Sequence, residues 1–267
     1  TLLARTLARV LDVPIALAHR GGTAHPANLG IENTLAAFQH AVDLGFRYLE
    51  TDVHATRDGE LVAFHDVSLD RVTDRDGLIK ERSWAEVSQA RIGGREPIPR
   101  LVDLLEAFPQ ARLNIDVKDD AAMAPTIDVV RAHDALDRVC LASFSGRRLR
   151  ALRAEFGDAL AVSAGQVGTV LMRFTPDLIS RLIHTPAPVL QIPGRHRLRG
   201  REVDIVTPGL VRRAHALGKQ IHVWLHPWAP QDDAEMHRLL DLGVDGLVVD
   251  DLETLRRVYA ERGHPLP

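Results

Sequence analysis

Four apolar runs in the sequence end in side chains that can bind ions or move protons. The first, Ile15-Ala-Leu-Ala, is followed by His19, Arg20, Gly21 and Gly22. A fixed guanidinium binds phosphate oxygens and glycine lets a ligand approach the backbone, so this His has better company than an ordinary hydrogen-bonded structural histidine. The second is Tyr48-Leu-Glu50-Thr-Asp52-Val, where the two-residue period of a strand puts Glu50 and Asp52 on one side. Two carboxylates on one face repel and raise each other's pKa unless a cation lies between them. A hard divalent ion, Mg²⁺ or Ca²⁺, meets that demand, and so does a salt bridge to arginine. His54 extends the same face and is given no role. The third is Phe64-His65-Asp66, which offers a second imidazole and a turn or orienting carboxylate. Two histidines flanking one phosphate supply a base and an acid. The fourth is Asn114-Ile-Asp116-Val-Lys118, with polar residues at alternate positions. Asp116 can complete a carboxylate set and Lys118 can neutralise an anionic oxygen, or the two can simply pair with each other.

These residues need a scaffold that brings strand ends together. Short β-rich runs alternate with helical patterns: Ile15 to Ala18 then Thr34 to Leu44, Tyr48 to Val53, Leu113 to Val117 then Thr126 to Ala132, and Val139 to Ser143 then Arg147 to Phe156. The strands Ala159 to Ser163, Val189 to Ile192, Ile221 to Leu225 and Leu247 to Asp250 follow. The alternation predicts an α/β protein with a parallel sheet, and eight strands suit a closed (β/α)₈ TIM barrel with its site at the C-terminal strand ends. An open doubly wound sheet is the alternative, but the first strand lacks a G-x-G-x-x-G turn. Leu61 to Phe64 follows the second strand across Asp58-Gly59, too short a link for a parallel crossover, and is expected as an antiparallel hairpin arm. Residues 67–97 read as a polar excursion too short for a cap domain, before a helix at Leu101 to Phe108.

The chain has 267 residues, of which 45% are hydrophobic and 26% charged, and no low-complexity linker divides it; one domain over residues 1–267 is expected. A net charge of −3 provides no global field for nucleic acid. The lone Cys140 excludes an internal disulfide and a thiolate zinc cluster. No apolar stretch is long enough for an integral membrane segment. Leucines at helical spacing between arginines from Thr1 to Leu11 predict an amphipathic helix rather than a secretory signal, and a cytoplasmic location is expected. Oligomeric state is left open.

Taken in order, His19-Arg20-Gly21, Glu32-Asn33-Thr34, Glu50-Thr-Asp52, Asp58-Gly59, His65-Asp66, Asp116-Val-Lys118, Val223-Trp224 and Val244-Asp245-Gly246 span nearly the whole chain. In order and spacing they resemble the glycerophosphodiester phosphodiesterases, a family of phospholipase-C-like TIM barrels. The resemblance implies hydrolysis of a phosphodiester joining glycerol 3-phosphate to an alcohol. It implies one divalent cation, Mg²⁺ or Ca²⁺ with Mn²⁺ also open, on Glu50, Asp52 and Asp116. His19 would be base or nucleophile and His65 acid, with the order open. Arg20 and Lys118 would meet the nonbridging oxygens. Trp224 would wall the glycerol or head group, or serve only as barrel packing. Three departures stand out: a longer loop from Gly22 to Glu32 with Ile31 where the family has Pro; Asp116 where Glu is usual; and Leu225-His226-Pro227 where Thr-Val-Asn is common. Rival readings are a lysophospholipase D or sphingomyelinase D type of lipid phosphodiesterase, which would want an apolar rim, a Schiff-base enzyme using Lys118, and a non-catalytic phosphodiester-binding module.

Overall fold

The structure is a computed structural model and describes residues 13–174, 187–198, 200–225, 231–264 and 266. The expected N-terminal helix and His226-Pro227 lie outside these residues.

The strands are β1 (Ile15–His19), β2 (Tyr48–Ala55), β3 (Leu61–Ala63), β4 (Arg91–Ile92), β5 (Glu96–Pro97), β6 (Arg112–Val117), β7 (Val139–Ala142), β8 (Ala161–Val162), β9 (Val189–Pro193), β10 (Arg195–Leu198), β11 (Arg201–Asp204), β12 (Gln220–Trp224) and β13 (Gly246–Val249). Eight of them form a parallel sheet in the order β8-β7-β6-β2-β1-β13-β12-β9. The two ends meet through a parallel bridge between Ser163 and Val189, reinforced by a 2.7 Å hydrogen bond from Ala164 N to Val189 O, so the sheet is nearly closed. This is the expected barrel. Strand ends differ by a residue or two from the sequence pattern, as hydrogen-bond definitions of termini usually do.

Alternation along each strand sorts side chains between two environments. Ala16 and Ala18 of β1, Leu49, Val53 and Ala55 of β2, and Leu113, Ile115 and Val117 of β6 join the main core under the surrounding helices. The opposite set, Ile15, Leu17 and Val248, clusters inside the barrel with Tyr48 and Trp224 against it. Gly246 is confined there: a Cβ would stand 2.7 Å from Ile15 Cγ1 and 3.1 Å from His222 Cδ2. Its neighbour Asp245 accepts from Ile221 N at 2.8 Å and His215 Nε2 at 2.9 Å, so this motif locks the start of β12 to β13.

β3 pairs antiparallel with β2, Val53 opposite Ala63 and Ala55 opposite Leu61, as the Asp58-Gly59 turn predicts. The ladder continues one step, Phe64 N donating to Asp52 O at 2.9 Å, which delivers His65 to the end of the strand that carries the acidic pair.

The excursion departs from its polar appearance. It folds around a second apolar cluster of Leu69, Ile79, Val87, Ala90 and Ile92, joined by Ile31, Ala37, Val62, Phe64 and Ile98. Ile31, which replaces the family's Pro, is a buried member of this cluster. The long loop before it is tied down by buried Asn28, whose Nδ2 donates to Gly21 O at 2.7 Å.

Candidate active site

β1 and β2 run in register with His19 opposite Glu50, and β2 and β6 with Asp52 opposite Asp116. Strand-end positions on three neighbours thus share one mouth. His19 Nδ1 donates to Asp250 Oδ1 at 2.8 Å and its Nε2 lies 3.8 Å from Glu50 Oε2. Burial disfavours a charged ring, but the hydrogen bond to Asp250 and the charge on Glu50 outweigh it and raise the His19 pKa. Asp250 is fixed in turn by Thr23 Oγ1 at 2.7 Å and Gln231 Nε2 at 3.0 Å. Despite burial, His19 above all, then Thr23 and Gln231, hold its carboxyl far below the usual range.

Arg20 takes up a left-handed backbone with φ 49°, uncommon for a residue with a side chain. Its Nε lies 3.3 Å from Asp52 Oδ2 and its Nη1 donates to Glu32 Oε1 at 3.3 Å. Asn33, also left-handed with φ 60°, donates to Asp52 Oδ2 at 3.4 Å, and Thr34 Oγ caps the following helix by accepting from Ala37 N at 3.1 Å. The Glu-Asn-Thr motif therefore supports Arg20, supports Asp52 and starts a helix.

Lys118 Nζ sits 2.7 Å from Asp52 Oδ1 and 2.8 Å from Asp116 Oδ2, so the Asp116–Lys118 pairing left open by the sequence is present and Asp52 is added to it. Burial notwithstanding, Lys118 and Arg20 lower the Asp52 pKa. Glu50 fares differently: burial and Asp52 push its carboxyl up to about 7. Among the described residues no three His, Cys, Asp or Glu side chains are already arranged as a metal cage. The donor set nonetheless suits a hard cation, because burial and Asp52 outweigh the nearby His19, Arg20 and Lys118 at Glu50, and Asp116 Oδ1 is buried with no hydrogen-bond partner.

His65 Nδ1 lies 2.6 Å from Asp66 Oδ1, the orienting contact foreseen for Asp66. Burial, with Arg20 and Lys118 nearby, lowers the His65 pKa although Asp52 opposes this. The two histidines are thus pushed in opposite directions. His54 hydrogen-bonds Asp119 at 2.7 Å and the His65 carbonyl at 3.2 Å, which gives it a supporting place. Trp224 ends β12, half-buried against the interior cluster. A pocket of about 220 Å³ on the excursion, lined by residues including Leu69, Arg75 and Arg82, contains none of these groups.

The sequence pattern missed three participants. Asp250 stands at the end of the last barrel strand, and the strand-end rule that singled out His19 could have found it. Glu32 was visible within a motif but without a partner, and Arg71, which clasps it, carries no local signal.

A parallel barrel with imidazoles, carboxylates and cations gathered at its C-terminal mouth defines a TIM-barrel enzyme. The model of the glycerophosphoryl diester phosphodiesterase family matches residues 19–254, and the chain belongs to that family. It is 39% identical over 254 residues to a Mycobacterium tuberculosis protein named "Probable glycerophosphodiester phosphodiesterase 2", covering 93% of this chain and 92% of that one. It is 27% identical to human lysophospholipase D GDPD1 across 90% of this chain and 84% of the relative. An Oleispira antarctica phosphodiesterase solved with its product sn-glycerol-3-phosphate superposes with a TM-score of 0.74 at 24% identity, covering 93% and 97% of the two chains. No helix among the described residues is long and apolar enough to cross a membrane.

Proposed function

We propose that the enzyme hydrolyses glycerophosphodiesters to glycerol 3-phosphate and an alcohol, using His19 and His65 as its proton-transfer pair. The observation that carries this is a pair of imidazoles beside Arg20, His19 at the end of β1 backed by Asp250 and His65 on the arm paired to the neighbouring β2 backed by Asp66. Glu50, Asp52 and Asp116 would hold one divalent cation, Mg²⁺, Ca²⁺ or Mn²⁺. When bound, that ion supplies Lewis-acid neutralisation of charge on the nonbridging oxygens.

The chain's own groups do the rest. Asp250 fixes the His19 ring so that Nε2 faces the mouth, where it can exchange a proton with the attacking water or the departing alcohol. Asp66 fixes the His65 ring in the same way from the arm. Arg20, anchored on Asp52 and Glu32, is preorganised to meet a phosphate oxygen. Lys118, held between Asp52 and Asp116 at the same mouth, would offer its ammonium to a second nonbridging oxygen. Trp224 lends an apolar wall to the glycerol or alcohol.

A lysophospholipid substrate is the second reading. Leu29, Val67 and Phe144 are exposed on loops that follow strand ends, and the Phe144 ring centre is 5.8 Å from Lys118 Nζ, so apolar surface does border the charged centre. Both readings are tested by a panel of glycerophosphocholine, glycerophosphoethanolamine, glycerophosphoglycerol and lysophosphatidylcholine, assayed after chelation with each of Mg²⁺, Mn²⁺ and Ca²⁺ restored. Release of glycerol 3-phosphate supports the first, release of lysophosphatidic acid the second, and no cation-dependent product from any of them overturns both.

A further inference from the structure

We propose that Arg71, on the excursion, is a positioning residue that sets the orientation of His65, and that the excursion serves as the buttress holding this clamp. The proposal rests on the assignment of His65 to proton transfer. Arg71 uses all three guanidinium nitrogens. Nε and Nη2 donate to Asp66 Oδ2 and Oδ1 at 2.5 and 3.2 Å, while Nη1 and Nη2 donate to Glu32 Oε2 and Oε1 at 2.9 and 2.6 Å. Asp66 in turn bonds His65 Nδ1 at 2.6 Å, and Glu32 Oε1 also accepts from Arg20 Nη1 at 3.3 Å. One unbroken chain therefore runs from Arg20 through Glu32, Arg71 and Asp66 to His65, joining the β1 loop to the hairpin arm.

The arm needs such a tie. β3 is only three residues long, and after Phe64 the chain leaves the ladder. Without a fixed Asp66, the His65 ring has its backbone carbonyl anchored by His54 but nothing to select its rotamer or tautomer. A planar fork can span two carboxylates at once, which an ammonium cannot reproduce.

The second apolar cluster explains why the excursion exists. It buries Ile31, adjacent to Glu32; Phe64, adjacent to His65; and Leu69, two residues before Arg71. Each polar member of the clamp is thereby pinned by an apolar neighbour in one common core. The apolar residues set the spacing and the ion pairs set the orientation.

The test compares Arg71→Ala, Arg71→Lys, His65→Ala and the double variant His65→Ala with Arg71→Ala. Substrates are glycerophosphoethanolamine and a glycerophospho-p-nitrophenol ester, with Mg²⁺ present. The Arg71 side chain is 48% exposed, so the fold should tolerate its loss, and Arg71→Lys covers the case in which alanine does not fold. The expected result is a kcat lower by roughly 10- to 100-fold for Arg71→Ala, the usual weight of an outer partner, with KM little changed and a smaller recovery in Arg71→Lys than charge alone would give. The double variant should lose no more than His65→Ala alone, and Arg71→Ala should show the same preference between the two leaving groups as His65→Ala. Losses that multiply in the double variant, or near-full activity of Arg71→Ala beside an impaired His65→Ala, overturn the positioning role and leave the catalytic assignment standing. Near-full activity of His65→Ala overturns both.

Discussion

Replacing Glu50 by Gln should make the cation-free protein more stable at alkaline pH, although a buried polar side chain usually loses stability when altered. The Glu50 side chain is 10% exposed and its carboxyl is pushed from 4.5 up to about 7 by burial and by Asp52. In the interval between those values the folded state keeps a proton that the unfolded state has lost. Stability from this group is therefore full below about pH 4.5 and falls as the pH rises toward 7, beyond which the ionised carboxylate imposes its whole cost. At ~1.4 kcal/mol per pH unit the gap corresponds to about 3 kcal/mol. Glutamine resembles the protonated acid and escapes that cost. Thermal unfolding in the presence of a chelator is the assay. At pH 8 the variant should melt higher by roughly 5 to 10 °C for a chain of this size, and at pH 5 the advantage should shrink to about 1 kcal/mol or less. Restoring Mg²⁺ or Ca²⁺ should stabilise the parent at pH 8 far more than the variant. A Glu50→Gln protein that melts at or below the parent at pH 8 would show that the carboxylates are already neutralised by Arg20 and Lys118, and would refute the case for a cation-seeking site.

A nitrophenol leaving group needs no proton, so it should rescue whichever of His19→Ala and His65→Ala lacks the acid and leave the other defective, which assigns the two roles in one kinetic comparison. Asp250→Asn removes the partner that raises the His19 pKa, so the limb of the pH–rate profile belonging to His19 should move to lower pH, with kcat reduced by about 10- to 100-fold; an unmoved profile would separate Asp250 from His19. Gly22→Ala should destabilise the fold by roughly 1–3 kcal/mol in chemical denaturation, because Gly22 has φ 88° and a Cβ would stand 2.4 Å from Leu252 Cγ.

The barrel is legible in the sequence because its strands alternate with helices at regular spacing, and the arm is legible because Asp58-Gly59 leaves no room for a crossover. The strand-end rule also found His19, Glu50, Asp52, Asp116 and Lys118, which the registers of β1, β2 and β6 bring to one mouth. Local pattern offered the Asp116–Lys118 pair, two residues apart on one strand, but not the distant pairings. Lys118 reaching Asp52 joins positions 66 residues apart and depends on strand register, which the sequence does not print. Arg71 reaches Glu32 across 39 residues, and its segment has no period to mark it. The second apolar cluster was hidden for a related reason: Leu69, Ile79, Val87 and Ile92 sit singly among charged residues, with neither the strand nor the helix repeat that announces a buried face. Asp250 was within reach of the rule but stood beside the more conspicuous Val244-Asp245-Gly246, whose carboxylate turns out to hold strands together instead.

The most direct test of two-imidazole phosphodiester hydrolysis is the kcat of His19→Ala and His65→Ala on glycerophosphoethanolamine, measured as glycerol 3-phosphate released at saturating substrate and Mg²⁺ with both variants shown to be folded. Each substitution should lower kcat by roughly 10²- to 10⁴-fold, the typical weight of a positioned proton donor or acceptor. Near-full activity in both variants would contradict the assignment of His19 and His65, whatever the barrel around them.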